Sequence, residues 1–325
     1  RRVWFREARL SAEREVSPRD RERALEAEAA LRDNGDSRDR HRAAVRALSR
    51  AGDLRRAEEV ARAWVARDRL DVEALTYLAD VVGRLGRSDE AMRLLSGVTD
   101  LQPENDVLQR RLANAFARSG DDLRSCAHRL ALAELEARSV RAGLDGRDGF
   151  AGGRHRRQSL SPSESETRVA AALRCLRETA SPELAAALRT ALPDGSRAFI
   201  DRISQASTRE EVVRGDLMLE GRWEGGDVDL SLITPEGTRL SWMGGRRNVV
   251  GSDARGAGRE RLGLTRAPAG SYLVEVNRVD PSQTGPIEGT VRLQVLGQTR
   301  TLPFTLAGSH ARVGRISVVR RWRIQ

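Results

Sequence analysis

The residues that could do chemistry in this chain are dominated by one basic type. All 57 basic residues are arginine, because the sequence contains no lysine. A P-loop needs a lysine on its phosphates, and a Schiff-base enzyme needs a primary amine. Both kinds of enzyme are therefore excluded for these 325 residues. The complete use of arginine indicates GC-rich codon usage.

Histidine and cysteine show no catalytic or metal-binding spacing. No Gly-x-Ser-x-Gly elbow, His-Glu-x-x-His helix or dinucleotide-binding glycine fingerprint occurs in the sequence. The two cysteines are 49 residues apart, without another cysteine or a histidine pair at zinc spacing. We interpret both as small buried residues, with a disulfide between them as the alternative. The sequence predicts no enzyme and no cofactor. The residues concerned are His41, His128, His155, His310, Cys126 and Cys175.

Two carboxylates are the strongest candidates for metal ligands. Asp227 and Asp229 lie two positions apart on a predicted strand, which places both on one face of a sheet. Calcium takes about six to eight oxygen ligands, and only Asp253 can be added as a distant third. We therefore predict no metal site and interpret the pair as solvated carboxylates, with calcium binding as the alternative.

A period of 34 residues organises the helical part of the chain. Gly52, Gly86 and Gly120 recur at this interval, each after a run with apolar residues four positions apart. Each glycine is predicted to end a helix in the left-handed conformation. Small residues five positions later predict that the returning helix packs closely on the first. The other repeated columns are Leu48, Val82 and Phe116; Ala44, Leu78 and Leu112; Arg50, Arg84 and Arg118; and Ala57, Ala91 and Ser125.

This pattern resembles the tetratricopeptide repeat over residues 38–139, as three hairpins. Residues 72–105 match best, whereas 38–71 and 106–139 depart from the pattern, so the second helix of the third hairpin is expected to shift or lengthen. Residues 1–37 are predicted to be an N-terminal helical segment, with a helix from about Pro18 to Arg32, that could cap the stack. The matching positions are Leu75, Leu78, Ala79, Val82, Gly86, Ala91, Leu95, Val98 and Pro103.

The resemblance implies that the first helix of each hairpin lines a concave groove. Arginines dominate the positions that face it, and their planar guanidinium groups suit carboxylates. We predict that the groove binds an acidic peptide or protein, with a merely solvated arginine surface as the alternative. The predicted groove residues are Arg42, Arg46, Arg50, Asp80, Arg84, Arg110, Asn114 and Arg118.

The remaining chain is predicted to contain a linker, a helical segment and a β domain. Residues 140–163 are rich in Gly, Arg and Ser, which is typical of a flexible linker. Helical patterning returns over 164–208. From 209 to 325 the period changes to two, which predicts seven to nine strands buried on one face and an antiparallel β-sandwich. The fold class is α+β multidomain, a helical solenoid followed by this sandwich.

Two segments of the β domain resemble a bacterial β-sandwich family akin to pre-peptidase C-terminal domains. They are DVDLSLITPEGTRLSW at 227–242 and APAGSYLVEV at 267–276. The resemblance implies an accessory module for adhesion or interaction.

Charge and hydropathy limit the partners. The net charge of +10 would suit nucleic acid, but arginine occurs throughout, and only 154–157 form a tight basic cluster. No apolar run reaches the roughly 20 residues of a membrane span, and no signal peptide is recognisable. We predict a non-catalytic scaffold with a protein partner. The alternatives are the stalk of a larger bacterial surface or sensor protein, and nucleic-acid binding. Cell envelope, export and cytoplasm all stay open, as does the oligomeric state.

Overall fold

The computed structural model divides the chain into two compact units. One combines Arg1–Leu101 with Val212–Gln325, and the other is Gln102–Glu211. The residues that the structure describes are 2–12, 16–35, 37–119, 121–144, 172, 175, 215–241, 249–254, 258–280 and 282–324. Within these ranges no helix is long and apolar enough to cross a membrane. The predicted helical segment 164–208 falls outside them apart from residues 172 and 175.

The described residues of the helical part of the first unit form five helices, each in contact with the next. Asp53 and Asp71 accept hydrogen bonds from the backbone N–H groups that open two of these helices. Gly52 and Gly86 have φ of 81° and 83°, so the predicted left-handed ends are confirmed at both. Gly120 lies outside the described residues. The helices are α1 (Pro18–Asp33), α2 (Arg38–Ala51), α3 (Leu54–Arg67), α4 (Val72–Arg84) and α5 (Ser88–Leu101).

The core of this helical part consists of small and branched side chains from successive helices. Ala57 and Ala91, the small residues of the repeat, are fully buried. Their size allows each returning helix to approach its partner closely, as predicted. They pack in one cluster with Val45, Leu48 and Val82, so each hairpin buries an apolar face against the next.

The second unit contains a third hairpin, α6 (Asp106–Ser119) and α7 (Asp122–Leu144). With 23 residues, α7 is longer than the second helices of the other hairpins, as expected, and it extends into the first residues of the predicted linker. Cys126 on α7 is bonded to Cys175. The interpretation of two separate buried thiols was therefore wrong, because a separation of 49 residues along the chain does not fix a distance in space.

The β part of the first unit consists of two five-stranded antiparallel sheets. Sheet A has the order β1-β10-β7-β3-β4, and sheet B has the order β5-β6-β2-β8-β9. The strands are β1 (Arg2–Ser11), β2 (Leu217–Glu224), β3 (Val228–Ile233), β4 (Arg239–Ser241), β5 (Val249–Ala254), β6 (Arg259–Leu264), β7 (Gly270–Arg278), β8 (Ile287–Val295), β9 (Gln298–Leu306) and β10 (His310–Ile324).

Strand β1 differs from the predicted helical segment at 1–37. The N-terminal residues pair antiparallel with β10 over ten positions, from Arg2 opposite Ile324 to Ser11 opposite Arg315. The helix predicted at about 18–32 is present as α1 (Pro18–Asp33). Apolar and charged residues do not alternate regularly in β1, because Val3, Trp4 and Phe5 are consecutive and Arg6-Glu7 follow them. The partner strand also lies at the other end of the chain.

One apolar cluster joins the inner faces of the two sheets. Leu230 and Val274 of sheet A share it with Leu219, Val291 and Leu293 of sheet B. Strands β2 and β8 alternate buried with exposed or half-buried residues, as one-sided burial predicts. Strand β3 is buried on both faces, and β7 is buried on both faces beyond its first two residues. The period of two predicted burial on one face only. The outer face of sheet A is therefore covered along these strands.

Candidate partner-binding groove

The predicted groove residues of the first unit lie on α2 and α4. Arg42, Arg46 and Arg50 are four residues apart and therefore share one face of α2, while Asp80 and Arg84 share a face of α4. The structure brings three of these arginines against the β part of the same unit. We call Arg46, Arg50 and Arg84 the groove arginines.

Arg84 forms a buried ion pair with a glutamate of sheet A. Its Nη2 lies 2.5 Å from Oε2 of Glu275 on β7, and the two side chains are 1% and 0% exposed. A second arginine, Arg312 on β10, places its Nε 3.5 Å from the other carboxylate oxygen. Arg84 also donates through Nη1 to the carbonyl of Ser49 at 3.1 Å. One carboxylate thus lies between two guanidinium groups with almost no access to water.

The charge state of Glu275 follows from these neighbours. Burial alone would raise the pKa of this carboxyl group, but the positive charges of Arg84 and Arg312 outweigh burial and hold the pKa below its ordinary value. Glu275 is therefore ionised at neutral pH. His310, at the start of β10, has its pKa lowered chiefly by burial, so its ring is neutral there.

Arg50 and Arg46 bind backbone carbonyls of the β part. Arg50 donates through Nη1 to the carbonyl oxygens of Thr234 at 2.5 Å and Ser271 at 3.4 Å. Arg46 donates through Nε to the carbonyl of Glu236. In the opposite direction, Arg312 donates to the carbonyl of Arg50. Side chains of the groove therefore contact both a turn and a strand of the β part.

A glycine allows the turn between β3 and β4 to approach α2 closely. Gly237 has φ of 84°, and a Cβ added there would lie 2.9 Å from the carbonyl oxygen of Arg46. Only a residue without a side chain fits both this backbone conformation and this distance.

The other predicted groove residues are not among the three arginines that contact the β part. Arg42 contacts Glu73 through two hydrogen bonds of 2.5 and 2.6 Å and Asp39 through one of 2.7 Å. These carboxylates raise its pKa above the ordinary arginine value, the bonds to Glu73 being the largest cause. Asp80 is buried. Arg110 and Asn114 lie half-buried on α6 in the second unit, and the side chain of Arg118 is outside the described residues.

The carboxylates considered for calcium do not gather into a metal site. The interpretation of Asp229 as a solvated carboxylate was wrong, because its side chain is 2% exposed and its Oδ2 lies 3.8 Å from Nη2 of Arg239. A guanidinium group at that position disfavours a divalent cation. Asp227 precedes β3, and its backbone carbonyl accepts a hydrogen bond from Val279. Across the described part of the chain, no group of three or more His, Cys, Asp or Glu side chains could hold a metal ion.

Sequence reasoning missed the residues that meet the groove arginines. Glu275 alternates with apolar residues on its strand, and this pattern usually places a charged side chain in solvent. It lies 191 residues from Arg84 along the chain. Arg312 and Thr234 likewise carry no local signal. Burial on both faces of β7 depends on a partner surface that the strand's own sequence does not indicate.

Similarity to known proteins is found among solved structures. No protein-family model matches the sequence, and no curated protein is detectably similar to it. Among solved structures, MamA is 11% identical to this chain. The match covers 48% of this chain and 79% of the MamA chain, with a TM-score of 0.34. The thermophilic TPR protein TTC0263 of Thermus thermophilus is 16% identical, covering 52% and 87%, with a TM-score of 0.30. BtubC (BKLC) from P. vanneervenii is 13% identical, covering 61% and 94%, with a TM-score of 0.29. At these scores, the description of the helical part rests on the chain's own repeat and packing.

Proposed function

We propose that the chain is a non-catalytic protein-interaction scaffold whose repeat groove binds carboxylates. The observation that carries this proposal is the buried contact between Arg84 and Glu275. There, a groove arginine holds the carboxylate of an extended strand, while Arg50 and Arg46 hold carbonyl oxygens nearby. An acidic peptide in extended conformation offers the same two kinds of acceptor.

The proposal assigns each part of the chain a role. The helical hairpins act as tetratricopeptide-type repeats, which the 34-residue period supports. The two sheets act as a β-sandwich accessory module that docks on these repeats, which the contacts of Arg50 and Arg84 support. The partner is an acidic protein or peptide.

A binding titration tests the proposal. We expect a labelled octaglutamate peptide to bind the full chain saturably, and octaglutamine not to bind. Replacing Arg42 and Arg46, two half-buried positions of the groove, by alanine should weaken binding about tenfold or more, because charge-assisted hydrogen bonds are lost. The control variant Arg93→Ala/Arg292→Ala removes the same charge from exposed positions and should bind like wild type. Equal affinities for the two double variants would contradict the groove.

A second candidate function, binding of single-stranded nucleic acid, is favoured by a ribbon at one end of sheet A. Strand β10 pairs with β7 only as far as Val318, whereas its pairing with β1 continues to Ile324. Trp4 and Trp322 lie opposite each other on this ribbon and are 57% and 49% exposed. The guanidinium of Arg320 lies 4.8 Å from the Trp4 ring centre. Exposed aromatic rings beside arginines suit stacked bases and phosphates.

This second candidate predicts salt-dependent binding through the ribbon. A labelled oligothymidylate should bind wild type, with an affinity that falls steeply between low and moderate salt. Trp4→Ala/Trp322→Ala should bind more weakly, whereas Leu25→Ala/Leu70→Ala, at exposed positions of the helical part, should not. Binding that is absent, or independent of salt, would exclude this function.

A further inference from the structure

The groove arginines are already engaged by the chain's own β part. The carboxylate of Glu275 binds Arg84, and the carbonyls of Thr234 and Glu236 bind Arg50 and Arg46. We propose that this part of sheet A is an internal ligand of the groove, and that an acidic partner binds by displacing it. The inference rests on the proposed function and adds how the same site is regulated.

The internal ligand matches the expected external one in its chemistry. It offers a single buried carboxylate and several backbone carbonyl oxygens to three arginines. Its turn approaches α2 more closely than a residue with a side chain would allow, because Gly237 has no Cβ. Arg312 holds the internal ligand in place, since it contacts Glu275 and also donates to the carbonyl of Arg50.

The apolar cores on the two sides of this contact are separate. One cluster contains only residues of the helical part, and the other contains only residues of the β part. Leu273 and Ile233, buried on the outer face of sheet A, belong to neither. The ion pairs and hydrogen bonds of the groove arginines therefore connect the two parts outside both clusters. Because such contacts also form with water or with another ligand, they can be exchanged without unfolding either core.

When the internal ligand occupies the groove, the measured affinity for an external ligand is lower. If only a fraction of molecules has an open groove, the apparent dissociation constant is the intrinsic constant divided by that fraction. Glu275→Gln leaves Arg84 and Arg312 without their carboxylate and should increase the open fraction. We expect octaglutamate to bind this variant about tenfold more tightly than wild type, or better still. Its matched control is Glu288→Gln, the same charge change at an exposed position of β8.

A second variant separates displacement from simple charge attraction. Arg312→Gln removes a positive charge, which by attraction alone would weaken the binding of an acidic peptide. Displacement predicts the opposite, because Arg312 lies on the internal ligand beside Glu275 and fastens it to the carbonyl of Arg50. Arg292→Gln, at an exposed position of β8, is its control and should bind like wild type or slightly more weakly.

The test is a fluorescence-anisotropy titration of the full chain with labelled octaglutamate. Tighter binding by both Glu275→Gln and Arg312→Gln than by their controls supports the internal ligand. Measurable binding that is equal in all variants overturns it and leaves the proposed function standing. Binding by none of the variants, with folding confirmed by circular dichroism, overturns the inference and the proposed function together.

Discussion

At the scale of single residues, the ion pair between Arg84 and Glu275 has the largest consequences. Both side chains are almost completely buried, so neither contacts water while the pair is formed. The net stability gained from such a pair against an apolar pair is small, but removing one member leaves a buried charge uncompensated. This asymmetry makes the pair a sensitive site for mutation.

We predict that Arg84→Met lowers the free energy of unfolding by about 3–5 kcal/mol, because Glu275 loses the cation nearest to it. The control Arg93→Met, on the exposed side of α5, should change it by less than about 0.5 kcal/mol. Urea unfolding of both variants measures the difference. Similar midpoints for the two variants would show that the pair is not buried in solution.

The same residue predicts a dependence on pH. The pKa of Glu275 is lower in the folded state than its ordinary value of 4.5, so its contribution is complete above that value. It is lost as the pH falls through the folded-state pKa. The stability difference between wild type and Glu275→Gln should therefore be constant from pH 7 to about 5.5 and shrink below about 4.5. A difference that stays constant to pH 3 would contradict the charged contact.

At the scale of elements, the turn between β3 and β4 can be tested separately from the arginines. Gly237→Ala and Gly297→Ala place a Cβ at nearly the same φ, 84° and 85°. Both should cost about 1–2 kcal/mol for the left-handed conformation. Only at Gly237 would the added carbon approach another element, the carbonyl of Arg46 at 2.9 Å. Gly237→Ala should therefore have the lower melting temperature, and equal values would argue against the docked turn.

The elements also show what the sequence can and cannot predict. The helix ends at Gly52 and Gly86 and the buried alternation of β2 were predictable, because caps and periodicity depend on neighbouring residues. Strand β1 was not, since its register depends on β10 at the other end of the chain. The arginine positions of α2 and α4 follow from the repeat, but their contacts with the β part could not be predicted, because no local pattern distinguishes Glu275 from a solvated strand residue.

At the scale of the whole molecule, the helical and β parts of the first unit should unfold together. Trp64 lies in the helical part and Trp223 in the β part, and both are buried. Variants that keep only one of these tryptophans should give coincident urea midpoints by fluorescence, because one compact unit contains both. Adding Arg84→Met should separate the midpoints. If the two single-tryptophan variants had different midpoints while Arg84 was still present, the helical and β parts would be independent domains.

The pairing of β1 with β10 determines how the molecule would respond to mechanical load. Arg2 lies opposite Ile324, so the two ends of the antiparallel pair are neighbours. The hydrogen bonds between antiparallel strands run perpendicular to the strands. A force that pulls these two strand ends apart therefore acts along the hydrogen bonds and breaks them one after another, starting at Arg2 and Ile324. Tension transmitted through the chain ends would peel β1 away before it loaded the buried groove.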